Sequence, residues 1–192
     1  MLRLPDITLI ALTSRDFVGH RDALDTSCMG IQWGGTKIIW DAGIKSIGEW
    51  NERVIKDLWK YVDTKFALLF HADGYVINPD SWKDEFLQYD YVGSPWPLPQ
   101  DDYSYRDEDG NIVRVGNSVS IRSRKLMELA AQRPVEYRYG NNNEDGHICC
   151  WNRKWLESKG CTFAPLELAL DFGREHYLPE HNGRKTFCFH QT

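Results

Sequence analysis

Three kinds of feature are missing from this chain of 192 residues, and the first is a cluster of basic residues. Its 23 Lys and Arg stand against 28 Asp and Glu, which gives a formal net charge of −5. Because binding to a phosphate backbone needs concentrated positive charge, nucleic acid is not an expected partner.

Long hydrophobic runs are also missing. The first apolar run, Ile7 to Leu12, is too short for a signal-peptide core or a membrane span. We therefore expect a cytoplasmic protein without a transmembrane segment, placed in the host cytoplasm if a virus encodes it.

The third absence is a cysteine pattern typical of disulfide frameworks or zinc sites. The five cysteines are odd in number and lack C-x-x-C spacing, which predicts buried, reduced thiols. We also find no internal repeat, linker or low-complexity tract. The length predicts one domain over residues 1–192, with the alternative that it is one domain of a longer protein.

Aromatic residues, by contrast, are plentiful, with 8 Trp, 9 Tyr and 8 Phe. Most of them are expected in the core. Trp96, in "GSPWP", also offers a flat apolar face of the kind on which sugar rings stack.

The first half of the chain alternates apolar strands with helical patterns. "ITLIALTSRD", "TKIIWDAG" and "FALLF" are typical of buried strands, and "HRDALDTSCMGI" and "SIGEWNERVIKDLWKYV" of helices. This order predicts right-handed crossovers and an α/β fold with a mostly parallel central sheet flanked by helices. The polar loops 13–16, 41–45 and 71–74 would then meet at the carboxyl edge of the sheet, where such folds bind ligands.

The second half is less regular. "DSWKDEFLQ" predicts a short helix, and residues 97–112, polar and without periodicity, predict a lid or a disordered loop. Residues 143–160 are expected to form one capped helix. "KTFCFHQT" predicts a final buried strand of the sheet. The D-x-D match at 107–109 lies in a hairpin-turn sequence, "RDEDGN", and is expected to be a solvated turn.

Two groups of polar residues are candidates for chemistry. His71 and Asp73 share a face if the strand stays extended, and with His190 they offer donors that suit Mg²⁺ or Mn²⁺. The alternative for each histidine is an ordinary surface or hydrogen-bonded residue. Glu144 and Asp145 stand near a helix N-terminus, where a carboxylate can cap the helix or act as a general base, and the two residues can divide these roles.

Five segments, in order, resemble the nucleotide-sugar glycosyltransferases of the GT-A fold, and more narrowly the small glycosyltransferase-like domains of bacteria and large viruses. They are "HADGYVINPDSW", "YDYVGSPW", "VGNSVSIRS", "NEDGHIC" and "KTFCFH", within residues 6–190. The resemblance implies a GT-A (Rossmann-like) fold and a metal-dependent hexosyltransferase. Such an enzyme moves a sugar from a UDP-sugar, UDP-glucose being one candidate, to a hydroxyl of a glycan or glycoprotein acceptor, with inversion.

The resemblance also implies roles for individual residues. Asp73 stands at the last Asp of the family's D-x-D motif, so that Asp73 and His190 would hold Mn²⁺ or Mg²⁺, and Asp145 would be the catalytic base. His71 departs from the motif, which has Asp at this position. The positions expected to contact the donor nucleotide-sugar are Thr13, Ser14, Arg15, Asp41, His71, Ala72, Asp73, Gly116 and Asn117.

Two other functions stay open at this point. A sugar nucleotidyltransferase would share the topology and the metal-binding Asp, but it would carry a Gly-rich basic loop after the first strand, which "ALTSRDFVGH" lacks. A carbohydrate-binding module would explain the aromatic residues without a base or a metal.

Overall fold

The computed structural model describes residues 1–191. Its main sheet has five strands in the order β2-β1-β3-β6-β5. The bounds are β1 Leu2–Thr13, β2 Ile31–Trp40, β3 Phe66–Leu69, β5 Tyr91–Pro95 and β6 Val115–Ser123.

The expectation of a mostly parallel sheet is right only for the first half of the chain. Strand β1 runs parallel to β2 and β3, whereas β6 is antiparallel to both β3 and β5. The helix predicted between β3 and β5 is absent, and the chain forms two 3₁₀ segments there, Pro79–Ser81 and Asp84–Gln88. No α-helix therefore connects β3 to β5 as in a typical parallel crossover, and the strands of the second half pair antiparallel.

A second, three-stranded sheet lies beside the first, in the order β4-β8-β7. Its strands are β4 Gly74–Val76, β7 Gly173–Arg174 and β8 Cys188–His190. The prediction that the last strand joins the main sheet is therefore wrong. Strand β8 pairs antiparallel with β4, and this register sets His190 opposite Gly74.

The helices lie on both sides of the sheet. They are α1 Phe17–Ser27, α2 Ile47–Asp57, α3 Arg124–Ala130, α4 Glu144–Gly146, α5 Arg153–Ser158 and α6 Leu166–Phe172. Ser46 caps α2, since its hydroxyl accepts a hydrogen bond from the Glu49 amide at 3.2 Å. No helix within residues 1–191 is both long and apolar enough to cross a membrane.

The apolar run of β3 is explained by burial on both faces. Ala67 and Leu69 pack with Val54 and Leu58 beneath α2, while Leu68 and its neighbour Phe70 join the core on the opposite face. A strand covered on both faces has no polar side to alternate with its apolar one.

The helix expected over 143–160 is interrupted. A π-helical turn, His147–Trp151, separates α4 from α5, and the Asn152 amide donates to the His147 carbonyl five residues earlier, at 3.1 Å. The Asn152 side chain donates to the same carbonyl at 3.0 Å. Periodicity does not reveal such an interruption, because it depends on one side chain bonding back to the backbone.

Candidate active site

A first cavity, of about 350 Å³, opens at the carboxyl ends of β1 and β3. It brings together five of the residues expected to contact the nucleotide-sugar: Thr13, Ser14, Arg15, His71 and Asp73. Its apolar wall includes Ile44 and Trp50, which the sequence did not single out as site residues.

The loop at the end of β1 is folded by its own hydrogen bonds. The Thr13 hydroxyl contacts both backbone polar groups of Arg15. Asp16 then takes a left-handed conformation with φ 52° and caps α1 through the Gly19 amide at 3.0 Å. These bonds hold the loop at the mouth of the first cavity.

The structure places the other expected donor contacts away from the lining of this cavity. Asp41 folds its own turn, accepting from the Gly43 amide at 2.8 Å, and pairs with Arg53 at 3.3 Å. Gly116 lies against Trp96, because a Cβ at position 116 would stand 2.0 Å from that indole ring.

Two further positions have local roles that can be described. Asn117 is buried with φ 85° and accepts from the Val119 amide at 2.8 Å. Ala72 is half-buried in the turn between His71 and Asp73.

A chain of buried polar groups runs beneath His71. Arg122 and Glu144 are 1% and 2% exposed and form an ion pair at 2.7 Å. The Ser118 hydroxyl bonds to the other Glu144 oxygen at 2.5 Å, and His71 Nε2 lies 2.8 Å from the same hydroxyl. Both oxygens of Glu144 are thus bonded to side chains, so the predicted capping role does not apply to Glu144.

Counting protons along this chain fixes the tautomer of His71. Glu144 is ionised because it pairs with Arg122, so its oxygen only accepts and Ser118 must donate to it. The hydroxyl then accepts from His71 Nε2–H. Burial, followed by the charge of His190, holds the pKa of His71 well below its usual range. The neutral ring therefore keeps its lone pair on Nδ1.

His190 lies between two carboxylates. Its Nε2 is 3.7 Å from Asp73 Oδ1, and its Nδ1 is 3.3 Å from Glu175 Oε1. Its ring stacks on His71 with centroids 5.2 Å apart, and only glycine fits at position 74, where a Cβ would stand 2.6 Å from the His190 ring. Burial opposes the charge, but the Glu175 hydrogen bond and the two carboxylates raise the pKa of His190.

The donor set fits a divalent cation. Asp73 Oδ1 and His190 Nε2 are oxygen and imidazole donors close enough to share one ion, and Glu175 on Nδ1 is the outer partner that ligating histidines usually have. No group of three ligating side chains occurs within residues 1–191, so the remaining positions would fall to water or a ligand. Binding at Nε2 would also displace the proton held there.

A second cavity has a volume of about 440 Å³. Asp145 and Glu175 line it, together with the rings of Trp96, Tyr103, Tyr105, Tyr139 and Trp151. Glu175 thus faces the second cavity while Asp73 faces the first, and His190 contacts both carboxylates. His190 thus links one lining residue of the first cavity to one lining residue of the second.

Asp145 carries the most perturbed carboxyl in the second cavity. Burial and the neighbouring Glu144 charge raise its pKa to about 7, against a hydrogen bond from the Gly146 amide. A carboxyl with this pKa can accept a proton near neutral pH and release it again, as a general base must.

The 97–112 segment has no helix and none of the main strands, as predicted, but it borders the second cavity through Tyr103, Ser104 and Tyr105. It was expected to cover the donor, whose residues line the first cavity. Within it, Asp107 accepts hydrogen bonds from the Asp109 and Asn111 amides at 3.0 and 2.8 Å, which confirms that this D-x-D match is a tight turn.

Sequence reasoning missed Glu175 and the buried chain of Ser118 and Arg122. The sequence held a signal for this buried network, because Ser118, Ser120 and Arg122 alternate with the apolar Val119 and Ile121 in β6. A buried arginine in such a stripe requires a carboxylate partner. Glu175 follows a two-residue strand, and nothing in its sequence neighbourhood indicated the contact with His190.

The fold can be compared with solved structures. One match is the "Crystal structure of a glycosyltransferase involved in the glycosylation of the major capsid of PBCV-1", with a TM-score of 0.56 and 11% identity over 96% of this chain and 91% of that one. Another is the "Crystal Structure of A197 from STIV", with a TM-score of 0.46 and 15% identity over 82% of this chain and 79% of that one. The first likeness shows a glycosyltransferase-like fold.

Comparison with the sequences of curated proteins gives no match. Residues 38–190, by contrast, match one protein family, whose description reads "Protein of unknown function (DUF5672)". Because this match spans most of the sequence, the chain belongs to the DUF5672 family.

Proposed function

We propose that this protein is a metal-dependent glycosyltransferase of GT-A type that moves a sugar from a UDP-sugar to an acceptor hydroxyl with inversion. One observation carries the proposal: His190 contacts both Asp73, which lines the first cavity, and Glu175, which lines the second cavity together with Asp145. A transferase needs two such sites, for donor and acceptor, joined where the sugar moves. The fold shared with a viral glycosyltransferase supports this function.

The first cavity is proposed to hold the donor. The apolar wall at Ile44 and Trp50 offers a surface for the nucleoside base. The loop 13–15 offers polar groups and the positive charge of Arg15 to the rest of the nucleotide-sugar. Asp73 and His190 would hold Mn²⁺ or Mg²⁺ next to the diphosphate. A cation bound there supplies Lewis-acid assistance to the departing diphosphate.

The second cavity is proposed to hold the acceptor. Asp145 takes the proton from the acceptor hydroxyl while the hydroxyl oxygen bonds to the anomeric carbon of the donor sugar. The bond from that carbon to the diphosphate breaks on the opposite face. Each transfer therefore leaves one proton on Asp145, which must return to solvent before the next turnover. The 97–112 loop excludes water from this side of the reaction.

A thermal-shift panel of nucleoside diphosphates, with and without Mn²⁺, tests the donor half of this proposal. A ligand that binds only the folded state raises the melting temperature. Because the metal is proposed to hold the diphosphate, we expect UDP to raise it only when Mn²⁺ is present. Asp73→Ala should abolish the shift, while Asp109→Asn, in the D-x-D turn, should keep it. A UDP shift without Mn²⁺, or one that Asp73→Ala retains, would contradict the metal assignment.

A carbohydrate-binding module remains the second candidate, and the five aromatic rings of the second cavity favour it. Such a module would bind saccharide without responding to UDP or Mn²⁺. A sugar nucleotidyltransferase would instead release pyrophosphate, so the reaction product separates it from a transferase.

A further inference from the structure

The second cavity is built differently from an ordinary polar cleft. Five of its lining side chains are aromatic, and they come from three separate parts of the chain: the end of β5, the 97–112 loop and residues 137–151. Tyr103 stacks on Tyr139 with ring centroids 4.8 Å apart and an interplanar angle of 26°. This pair joins two loops across the mouth of the cavity.

Both rings of the pair are open to solvent, with Tyr103 51% and Tyr139 65% exposed. Large exposed apolar faces cost free energy in water and need an explanation when they cluster. A planar ring with one face free and a hydroxyl at its edge suits a ligand that is apolar on one side and polar on the other.

The backbone at this cavity is strained. Tyr105 and Tyr139 have φ values of 51° and 52°, a left-handed conformation that is unusual for bulky residues. Both line the same cavity. Strain of this kind persists where the surrounding structure enforces it, and it gathers at ligand clamps.

The charge of the lining limits what can bind. Asp145 and Glu175 contribute two carboxylates, and within residues 1–191 the cavity is lined by neither Lys nor Arg. Like charges repel an anionic ligand, and the histidines near the cavity, His176 and His190, already contact Glu175. A hydroxyl-rich, uncharged ring with an apolar C–H face fits both the aromatic faces and the charge.

We infer that the second cavity binds an uncharged saccharide, that the Tyr103–Tyr139 pair is its stacking platform, and that this saccharide is the acceptor. The identification as acceptor rests on the proposed function; binding of the saccharide does not. The two carboxyl groups of the lining make acidic sugars such as uronates the less favourable ligands. Specificity for the acceptor then lies in the 97–112 and 137–143 loops, away from the nucleotide cavity.

Saturation-transfer NMR on the full chain tests this inference. The probes are cellotriose, maltotriose and chitotriose as uncharged saccharides and trigalacturonate as the acidic one, each with and without UDP and Mn²⁺. We expect transfer to at least one uncharged saccharide, strongest at its ring C–H protons, and weaker transfer to trigalacturonate. Equal transfer to trigalacturonate, or transfer to none of the uncharged probes, would overturn the inference.

Variants locate the contact. Tyr103→Ala and Tyr139→Ala should each weaken saccharide binding about tenfold, while Tyr103→Phe keeps the ring and should bind like the wild type. Tyr137→Ala is the matched control, because Tyr137 is 73% exposed in the same loop but lines neither cavity. All of these side chains are exposed, so the variants should fold. Unchanged binding in both Ala variants would show that the Tyr103–Tyr139 pair is not the stacking platform for the saccharide.

The outcomes separate the two proposals. Mn²⁺-dependent UDP binding without saccharide binding would sink this inference and leave the donor site standing. Saccharide binding on the tyrosine pair without any nucleotide binding would sink the transferase and leave a carbohydrate-binding protein.

Discussion

The two cavities differ in what holds them. The first is built at strand ends, with His71 and Asp73 following β3 and His190 fixed by its pairing with β4, above a buried ion pair. The second is bordered by loops, and its aromatic rings are mostly half-buried or exposed. We infer that the first is pre-organised for one ligand class, while the second can change its specificity without disturbing the sheet.

The sharpest way to break this comparison is Asp145→Asn. We expect turnover to fall by about two to four orders of magnitude, because the amide cannot take the acceptor proton. Mn²⁺-dependent UDP binding should stay unchanged, since Asp145 lies in the other cavity. Steady-state kinetics and thermal shift on the same samples measure both, and a loss of UDP binding would show that the cavities are not independent.

The pH dependence of turnover gives a second readout of Asp145. Its pKa of about 7 means that the carboxyl is protonated, and inactive as a base, below that pH. Turnover should therefore rise as pH increases through about 7 and level off above it. A flat profile between pH 6 and 8 would contradict the assignment.

Removing one member of the buried pair should cost the most stability. Arg122→Met leaves Glu144 buried without its cation, and we expect a loss of about 3–5 kcal/mol in the free energy of unfolding. Lys65→Met, which breaks an exposed pair with Asp6, should cost at most about 1 kcal/mol. Urea unfolding compares them, and similar losses in the two variants would refute the role given to burial.

Replacing Glu175, the outer partner of His190, should lower the affinity for Mn²⁺. Glu175→Gln removes the negative charge beside Nδ1, and we expect Mn²⁺ to bind about 10- to 100-fold more weakly in the presence of UDP. Titration calorimetry measures this. Glu180→Gln, which alters a surface pair with Arg114, is the control, and an equal effect there would exclude a specific role for Glu175.

The smallest expected effect is a change in which ring nitrogen of His71 carries the proton. Ser118→Ala removes the hydroxyl that accepts from His71 Nε2, at a stability cost of about 1 kcal/mol. We expect ¹⁵N NMR to show His71 as the Nε2–H tautomer in the wild type and as a mixture in the variant. A mixture already present in the wild type would contradict the proton count along the buried chain.

The same contrast explains how much could be predicted from the sequence. Strands β1, β2 and β3 follow from apolar runs and their turn residues, and their order places Thr13, His71 and Asp73 at one edge. The orientation of β6 and the separate sheet of β8 did not follow, because they depend on pairings between distant segments that no local pattern encodes.

The second cavity was harder still. Asp145 was named from its place near a predicted helix N-terminus and from the "NEDGHIC" segment. Other residues that line the cavity come from loops that contain residues in a left-handed conformation, such as Tyr105 and Tyr139. Non-glycine residues rarely adopt that conformation, so the sequence gives no reason to expect it there. The position of the 97–112 loop beside Asp145 could therefore be learned only from the structure.

Anomalous diffraction from crystals soaked with UDP and Mn²⁺ tests the central claim most directly. The account predicts one manganese peak bonded to Asp73 Oδ1 and His190 Nε2, with the diphosphate on its open side and the nucleoside toward Trp50. A manganese peak elsewhere, or UDP lying among the aromatic rings beside Asp145, would contradict it.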